Sequence, residues 1–420
     1  MYDETSEVIS ISPESSTAGS TSAGRRAPQP KPSREELNFG PLKTIHAFWL
    51  AGMSCDGCTI AVAGATNPPL EGLLTGTLPG LPQLILHHPA LAVEAGEKFV
   101  HNFYLAERGE LGAPYVICYE GSIADESIAA KTGGYWSALG AENLGGDKRR
   151  QIPTAEWLKR MAPGAAAVIA VGTCATWGGI PAAAGNPTNA MGVMDLLGKD
   201  YRSTTGLPVI NIPGCSPIGD NFTETVGMIL LFLQGLGPLP EFDELGRPAW
   251  LFRDTVHQKC MRAGFYEEGT FAEKYGDPEC LVEVGCWGPV VQCNIVSRGA
   301  INHMGGCMNT GGICIGCTMP GFPDKFAPFY ATPPGSAVST NMARTYGSVI
   351  RRLRRVTQKF QNQESRWEQE GHIPSGWSAY QKPSLTSRAI HHLYQWMQYR
   401  NTVRPGSGGS PKGSKQPPTI

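Results

Sequence analysis

The sequence predicts an α/β protein: an open, doubly wound parallel sheet, then a loop-rich half dense in cysteine, then a helical extension. Three observations predict it. Short apolar runs ended by glycine or another small residue alternate with helix-like segments between about residues 41 and 237. From about 238 to 335 that periodicity gives way to glycine, proline and cysteine. Beyond it, residues 339–361 carry arginine with isoleucine and valine at helical spacing, and residues 384–400 read as a second helix.

Residues 1–40 are rich in serine, proline and charge, and read as a disordered leader. The first expected strand is Thr44–Leu50, apolar with aromatic and β-branched members. Tyr115–Tyr119, Ala165–Val171 and Val209–Ile212 are three more, each continuous enough in apolar character to be buried on both faces. Helices are expected at Thr154–Met161 and Phe222–Leu233, the second started by Asp220 or Asn221 and stopped by Gly235. The expected organisation is therefore a leader (1–40), an α/β domain (41–237), a cysteine-rich domain (238–335), a helical extension (336–404) and a flexible tail (405–420).

Composition narrows the class. A net charge of -1 over 420 residues offers no electrostatic footprint for nucleic acid. No run of eighteen apolar residues appears, so no transmembrane span is expected; the most apolar helix, around Met228–Leu233, is too short. Arg25-Arg26 is followed by Ala-Pro-Gln-Pro-Lys-Pro rather than an apolar segment, which reads as tail and not as an export signal. The expected compartment is the cytoplasm, reached at a membrane only through partners, and there clustered cysteines read as metal ligands rather than disulfides.

Twelve cysteines fall into two sets and one remainder. Cys55 and Cys58 follow the first expected strand, Cys174 the third and Cys215 the fourth, so all four lie just past carboxyl ends of parallel strands, where such sheets bind ligands. Four thiolates there suit one [4Fe-4S] cluster or one zinc. The tight turns Gly172-Thr173-Cys174 and Gly214-Cys215-Ser216-Pro217 favour iron–sulfur, because their N–H groups can point at sulfur. The second set runs His257-x2-Cys260-x19-Cys280-x5-Cys286-x6-Cys293-x13-Cys307-x6-Cys314-x2-Cys317. Eight donors divide into His257, Cys260, Cys280 and Cys286 for one cluster, and Cys293, Cys307, Cys314 and Cys317 for another. Cys118 sits inside a strand and reads as a buried structural thiol.

These residues resemble the small subunit of [NiFe] hydrogenases. The matching segments are Phe48-Trp49-Leu50, Ser54-Cys55-Asp56-Gly57-Cys58-Thr59, Glu120-Gly121-Ser122-Ile123, Gly172 to Ile180, Ile212-Pro213-Gly214-Cys215, His257-Gln258-Lys259-Cys260, Gly285-Cys286-Trp287-Gly288-Pro289 and Ile313-Cys314-Ile315-Gly316-Cys317, covering about 43 to 330. The resemblance implies a flavodoxin-like domain with a proximal [4Fe-4S] cluster and a second domain with medial and distal clusters. The distal one is [4Fe-4S] and the medial one [4Fe-4S] or [3Fe-4S]. The nickel–iron centre would lie in a separate large subunit, in a heterodimer or a dimer of heterodimers, with an electron acceptor that the sequence does not name. The respiratory complex I relative also matches the first half, but it carries one cluster. Small subunits of bidirectional or cofactor-reducing [NiFe] hydrogenases are the alternative.

Three departures mark a branch. The lack of a recognisable twin-arginine signal and membrane helix resembles the actinobacterial-type, high-affinity uptake branch (group 1h/5). Asp56 stands inside the Cys-x-x-Cys where relatives carry a small neutral residue, so Cys55, Asp56, Cys58, Cys174 and Cys215 compete for four iron positions. Cys307 lies near where the family usually has proline beside a [3Fe-4S] medial cluster, which implies a medial [4Fe-4S]. The branch implies oxygen tolerance, and Gly57 and Gly179 occupy the positions where other tolerant relatives place two extra cysteines, so that route is closed here. Glu120, at a strand end on the cysteine side, is a candidate interface or proton-path acid, or a structural one.

Overall fold

The computed structural model describes residues 41–145, 148–333, 338–347 and 349. The expected leader, the helix over 384–400, the Arg351–Arg355 run and the tail lie outside the described residues. Of the extension helix expected over 339–361, residues 338–347 are helical. Among the described residues no helix is long and apolar enough to cross a membrane.

Seven strands form in chain order: β1 (Thr44–Ala51), β2 (Gln83–His87), β3 (Tyr115–Glu120), β4 (Ala138–Gly145), β5 (Lys148–Pro153), β6 (Ala167–Val171) and β7 (Ile210–Ile212). Five make one parallel sheet in the order β2-β1-β3-β6-β7. Counting sheet strands alone, that is 2-1-3-4-5, the flavodoxin-like order, with its switch point between β1 and β3. The remaining two strands form an antiparallel hairpin.

Alternation along β1 divides the core. Ile45, Ala47 and Trp49 pack to one side with Val116, Ile169, Phe222 and Leu230, and Phe48 and Leu50 to the other with Ile117, Phe103 and Trp157. Every residue of β3, β6 and β7 is buried, as helices on both faces require. The helices of the first domain are α1 (Gly57–Ala63), α2 (Leu70–Thr75), α3 (Glu97–Glu107), α4 (Glu126–Ala130), α5 (Thr154–Met161), α6 (Gly172–Trp177), α7 (Val193–Leu197) and α8 (Gly219–Leu233).

Helix α8 begins three residues before the expected Phe222, and neither Asp220 nor Asn221 caps it. The Asp220 carboxylate instead accepts the N–H groups of Thr66 (2.6 Å) and Asn67 (3.1 Å), tying α8 to the loop after α1. Gly235, with φ +72°, does end the helix.

The second domain has its own apolar centre. Trp287, Val290, Val291, Ile313, Phe322 and Phe326 pack together with Cys286 and Cys314. A stretch this rich in glycine, proline and cysteine is hard to fold by apolar burial alone, and this aromatic cluster is the apolar burial that it has. Residues 338–347 lie against it, with Arg344 paired to Glu283 at 2.7 Å.

Candidate metal centres

The first site forms at the switch point. After β1 the chain is laced to the end of β3: Gly52 N donates to Glu120 O at 2.8 Å and Met53 N to Ser122 O at 2.9 Å. Gly121 has φ +84°, and a Cβ there would sit 2.7 Å from the Met53 carbonyl, so glycine is required in the Glu120-Gly121-Ser122 turn. The Glu120 side chain is buried and reaches across to α1. Its Oε1 accepts Cys58 N–H (3.0 Å) and Thr59 N–H (3.2 Å), and its Oε2 accepts Trp49 Nε1–H (2.9 Å) and the Thr59 hydroxyl. With no side-chain cap from Asp56, this carboxylate satisfies the first turn of the helix that carries Cys58.

Cys174 rides on α6, directly after β6, and Cys215 follows β7. A Cβ on Gly172 would lie 2.3 Å from the Cys58 sulfur, so only glycine lets β6 end this close to it. The four thiols share one field. Burial pushes Cys58 well up, and the charges of Glu120, Cys174, Cys55 and Cys215 push the same way. Cys174 is pushed up to about 11, by burial and then by Cys215, against an N–H from Ile180. Cys215 is raised by burial and by Cys55. Cys55, Asp56 and Cys215 are exposed at the mouth. Asp56 stands in the left-handed region (φ 60°), and its charge acts on His88.

The second site is a narrow cleft lined by His257, Cys260, Cys280 and Cys286 together with Arg262 and Met308. All four expected donors therefore face one space. Helix α9 (Val256–Lys259) carries His257, whose N–H donates to Gly288 O at 3.0 Å and whose ring meets Tyr266 edge-on at 4.6 Å. Arg262 grips the loop before Cys280 through the carbonyls of Asp277 and Glu279, both at 2.9 Å. Burial pushes Cys280 up to about 12 and Cys286 to about 11.

The third group lies between the other two. The Cys307 charge acts on Cys293 and Cys317, and Cys314 feels Cys286 and then Cys317 and Cys293, while among the described residues no three such donors stand close enough together to grip a single metal ion. Burial raises Cys293 to about 12 and also pushes Cys314 and Cys317 well up. Two links fix the order of sites. Toward the first, the Cys215 N–H donates to the Cys317 sulfur and the Thr173 hydroxyl to the Cys317 carbonyl. Toward the second, Cys314 N–H donates to the Cys286 sulfur at 3.3 Å.

The donor chemistry fits iron–sulfur clusters. Soft thiols dominate, N–H groups of Ile180, Arg262, Gly288, Cys314 and Cys215 meet their sulfurs, and the walls are apolar. Raised thiols must lose their protons to the metal, so loading releases protons. Cys118 is fully buried in β3 among apolar side chains, apart from all three groups. The role of Glu120 as a fastener of α1 is what sequence reading missed. Its only sequence signal is an acid at the end of an otherwise apolar strand.

Two family profiles match the chain. The one described as NADH ubiquinone oxidoreductase, 20 Kd subunit, matches residues 55–229, and the one for the C-terminal part of the NiFe/NiFeSe hydrogenase small subunit matches 252–330. The periplasmic [NiFeSe] hydrogenase small subunit of Desulfomicrobium baculatum is 31% identical over 69% of this chain and 87% of its own length. The hydrogenase-2 small chain of Escherichia coli K12 is 32% identical over 58% of each chain. Among solved structures, the actinobacterial-type NiFe-hydrogenase from Ralstonia eutropha H16 is 47% identical, covering 82% of this chain and 98% of that one, with a TM-score of 0.72.

Proposed function

The chain belongs to the [NiFe] hydrogenase small subunits, and from that premise we propose that it serves an uptake enzyme of the actinobacterial type as a three-cluster electron relay. The electron-transfer role and the large-subunit partner come with the family. The direction of flow, the number of clusters and the ligand sets are our reading. The observation that carries it is the linear order of donor groups, joined at Cys215–Cys317 and at Cys286–Cys314.

The partner's nickel–iron centre supplies the splitting of H2, and the clusters supply one-electron carriers. The residues of this chain do the rest. Four of Cys55, Asp56, Cys58, Cys174 and Cys215 hold the proximal cluster at the exposed mouth, where the large subunit docks. Cys293, Cys307, Cys314 and Cys317 hold a medial [4Fe-4S]. His257, Cys260, Cys280 and Cys286 hold the distal cluster, and neutral imidazole in place of a thiolate makes that end of the relay easier to reduce. Twelve unpaired cysteines accord with a reducing, cytoplasmic setting.

The test is metal and spectroscopy on the co-purified complex. This chain should hold about twelve iron with acid-labile sulfide, against about three metals for a zinc scaffold. Mössbauer spectra of Asp56→Asn should change the proximal signal if the carboxylate is a ligand and leave it unchanged if four thiolates hold the cluster. An oxidised [3Fe-4S] signal in freshly prepared enzyme would sink the four-cysteine medial site. Absence of H2-dependent dye reduction would sink the functional reading.

A further inference from the structure

We propose that Arg247 is a positioning residue for the medial cluster, clamping the segments that carry Cys293 and Cys317 and raising the reduction potential of the group they hold. The inference rests on the reading that Cys293, Cys307, Cys314 and Cys317 bind that cluster.

Arg247 is 1% exposed, one of the largest fully buried side chains in the molecule. It leaves a tight turn over residues 243–247. There the Asp243 Oδ1 accepts the N–H groups of Leu245 and Arg247, both at 2.9 Å. The turn is pinned to the sheet: Asn211 of β7 donates its N–H to Gly246 O at 2.8 Å and its amide to Leu245 O at 2.7 Å. From this turn, fastened to β7 of the first domain, the guanidinium reaches in among the segments that carry the cysteines. Its Nη2 donates to Gln292 Oε1 at 2.5 Å, its Nη1 lies 3.8 Å from Met319 Sδ, and its plane lies 5.1 Å from the Phe252 ring. Gln292 precedes Cys293, and Met319 stands two residues past Cys317. Those two segments are also joined to each other, by Thr318 Oγ1–H donating to Gln292 O at 2.8 Å.

Charge placement makes this more than a clamp. The Nε–H meets Asp243 Oδ2 at 2.8 Å, and that carboxylate lies at the outer, 25% exposed end. The Nη groups point the other way, at the ligand-bearing segments. The pair is therefore a dipole with its positive end toward the sulfurs, in surroundings that screen little. Reduction adds negative charge to a cluster, and a fixed cation beside it stabilises the reduced form.

The experiment is an EPR-monitored redox titration of the purified holoenzyme carrying Arg247→Met, Arg247→Lys or Asp243→Asn. Arg247→Met should lower the medial reduction equilibrium tenfold or more, about 59 mV for one electron. Asp243→Asn removes the opposing anion and should shift it upward. Arg247→Lys should fall between wild type and Arg247→Met. Proximal and distal potentials should stay in place. Opposite shifts from the two halves of one ion pair are what a purely structural clamp would not give. Medial potentials that stay put, or move the same way in Arg247→Met and Asp243→Asn, overturn the proposal. Should Arg247→Met lose the cluster, Asp243→Asn and Arg247→Lys decide alone. A wild-type enzyme with no medial signal refutes the ligand reading itself, whereas a medial signal with an unmoved potential refutes only Arg247.

Discussion

Glu120 shows how one side chain can organise a metal site without binding the metal. A buried carboxylate that accepts four donors from Trp49, Cys58 and Thr59 has both its oxygens occupied as acceptors. In Glu120→Gln one half of the fork becomes a donor facing other donors. We expect about 3 kcal/mol lost from stability and an altered proximal cluster spectrum, read by thermal melts and EPR on the same preparation. An unchanged spectrum with a lowered Tm would restrict Glu120 to folding. His87 gives a second residue-scale prediction. Burial, and then the charge of His46 2.8 Å away, holds His87 down to about 4. Its unfolded value is near 6.5, so the unfolded chain takes up the proton first as pH falls. The stabilisation is intact above pH 6.5 and is lost on the way to 4. His87→Gln should flatten the Tm profile across that window, and an equally steep profile would show that other groups set it. The cysteines were legible because those of the first half follow expected strand ends and those of the second crowd into a short stretch. Glu120 was visible as an acid but not as a fastener, because its partners lie 61 to 71 residues away.

At the scale of elements, the close contact of α1 and α8 sets where Cys58 sits. A Cβ on Gly219 would lie 2.0 Å from the Ala61 carbonyl, so α8 can start only with glycine there. Gly219→Ala should cost about 3 kcal/mol or more and loosen the proximal cluster along with the helix. A denaturant melt with the wild-type midpoint would contradict this. Gly179 makes a related case. Its φ is +57° and an added Cβ would fall 2.8 Å from the Cys174 sulfur, so this backbone resists any side chain at that place, cysteine included. The four expected strands appear within two residues at each end, because continuous apolar runs announce buried parallel strands. Strand β2 was not legible. Gln83 and His87 interrupt its short apolar run, and it is an edge strand whose pairing with β1 is decided by tertiary contact. The β4–β5 hairpin, exposed and rich in Gly, Asn and Arg, carries no apolar alternation either.

Across the whole molecule, the two domains are joined beside the candidate ligands. Thr173 bonds Gly214 and Cys317 together, and Arg247 links the turn pinned to β7 with the segments carrying Cys293 and Cys317, so the contacts that pack the domains also run along the proposed relay. This long-range arrangement was outside the reach of sequence reading, which named candidate donors but not how their segments touch. The mouth of the first site carries a consequence for biosynthesis. Cys55 and Cys215 lie open to solvent on the lone subunit, on the face we assign to the partner. Iron and sulfide can enter there only while that face is bare. On that assignment maturation has a direction: the proximal group loads before docking, and docking seals it. Isotopic iron offered to the free subunit should reach the proximal site, and the same isotope offered to the finished complex should be excluded from it.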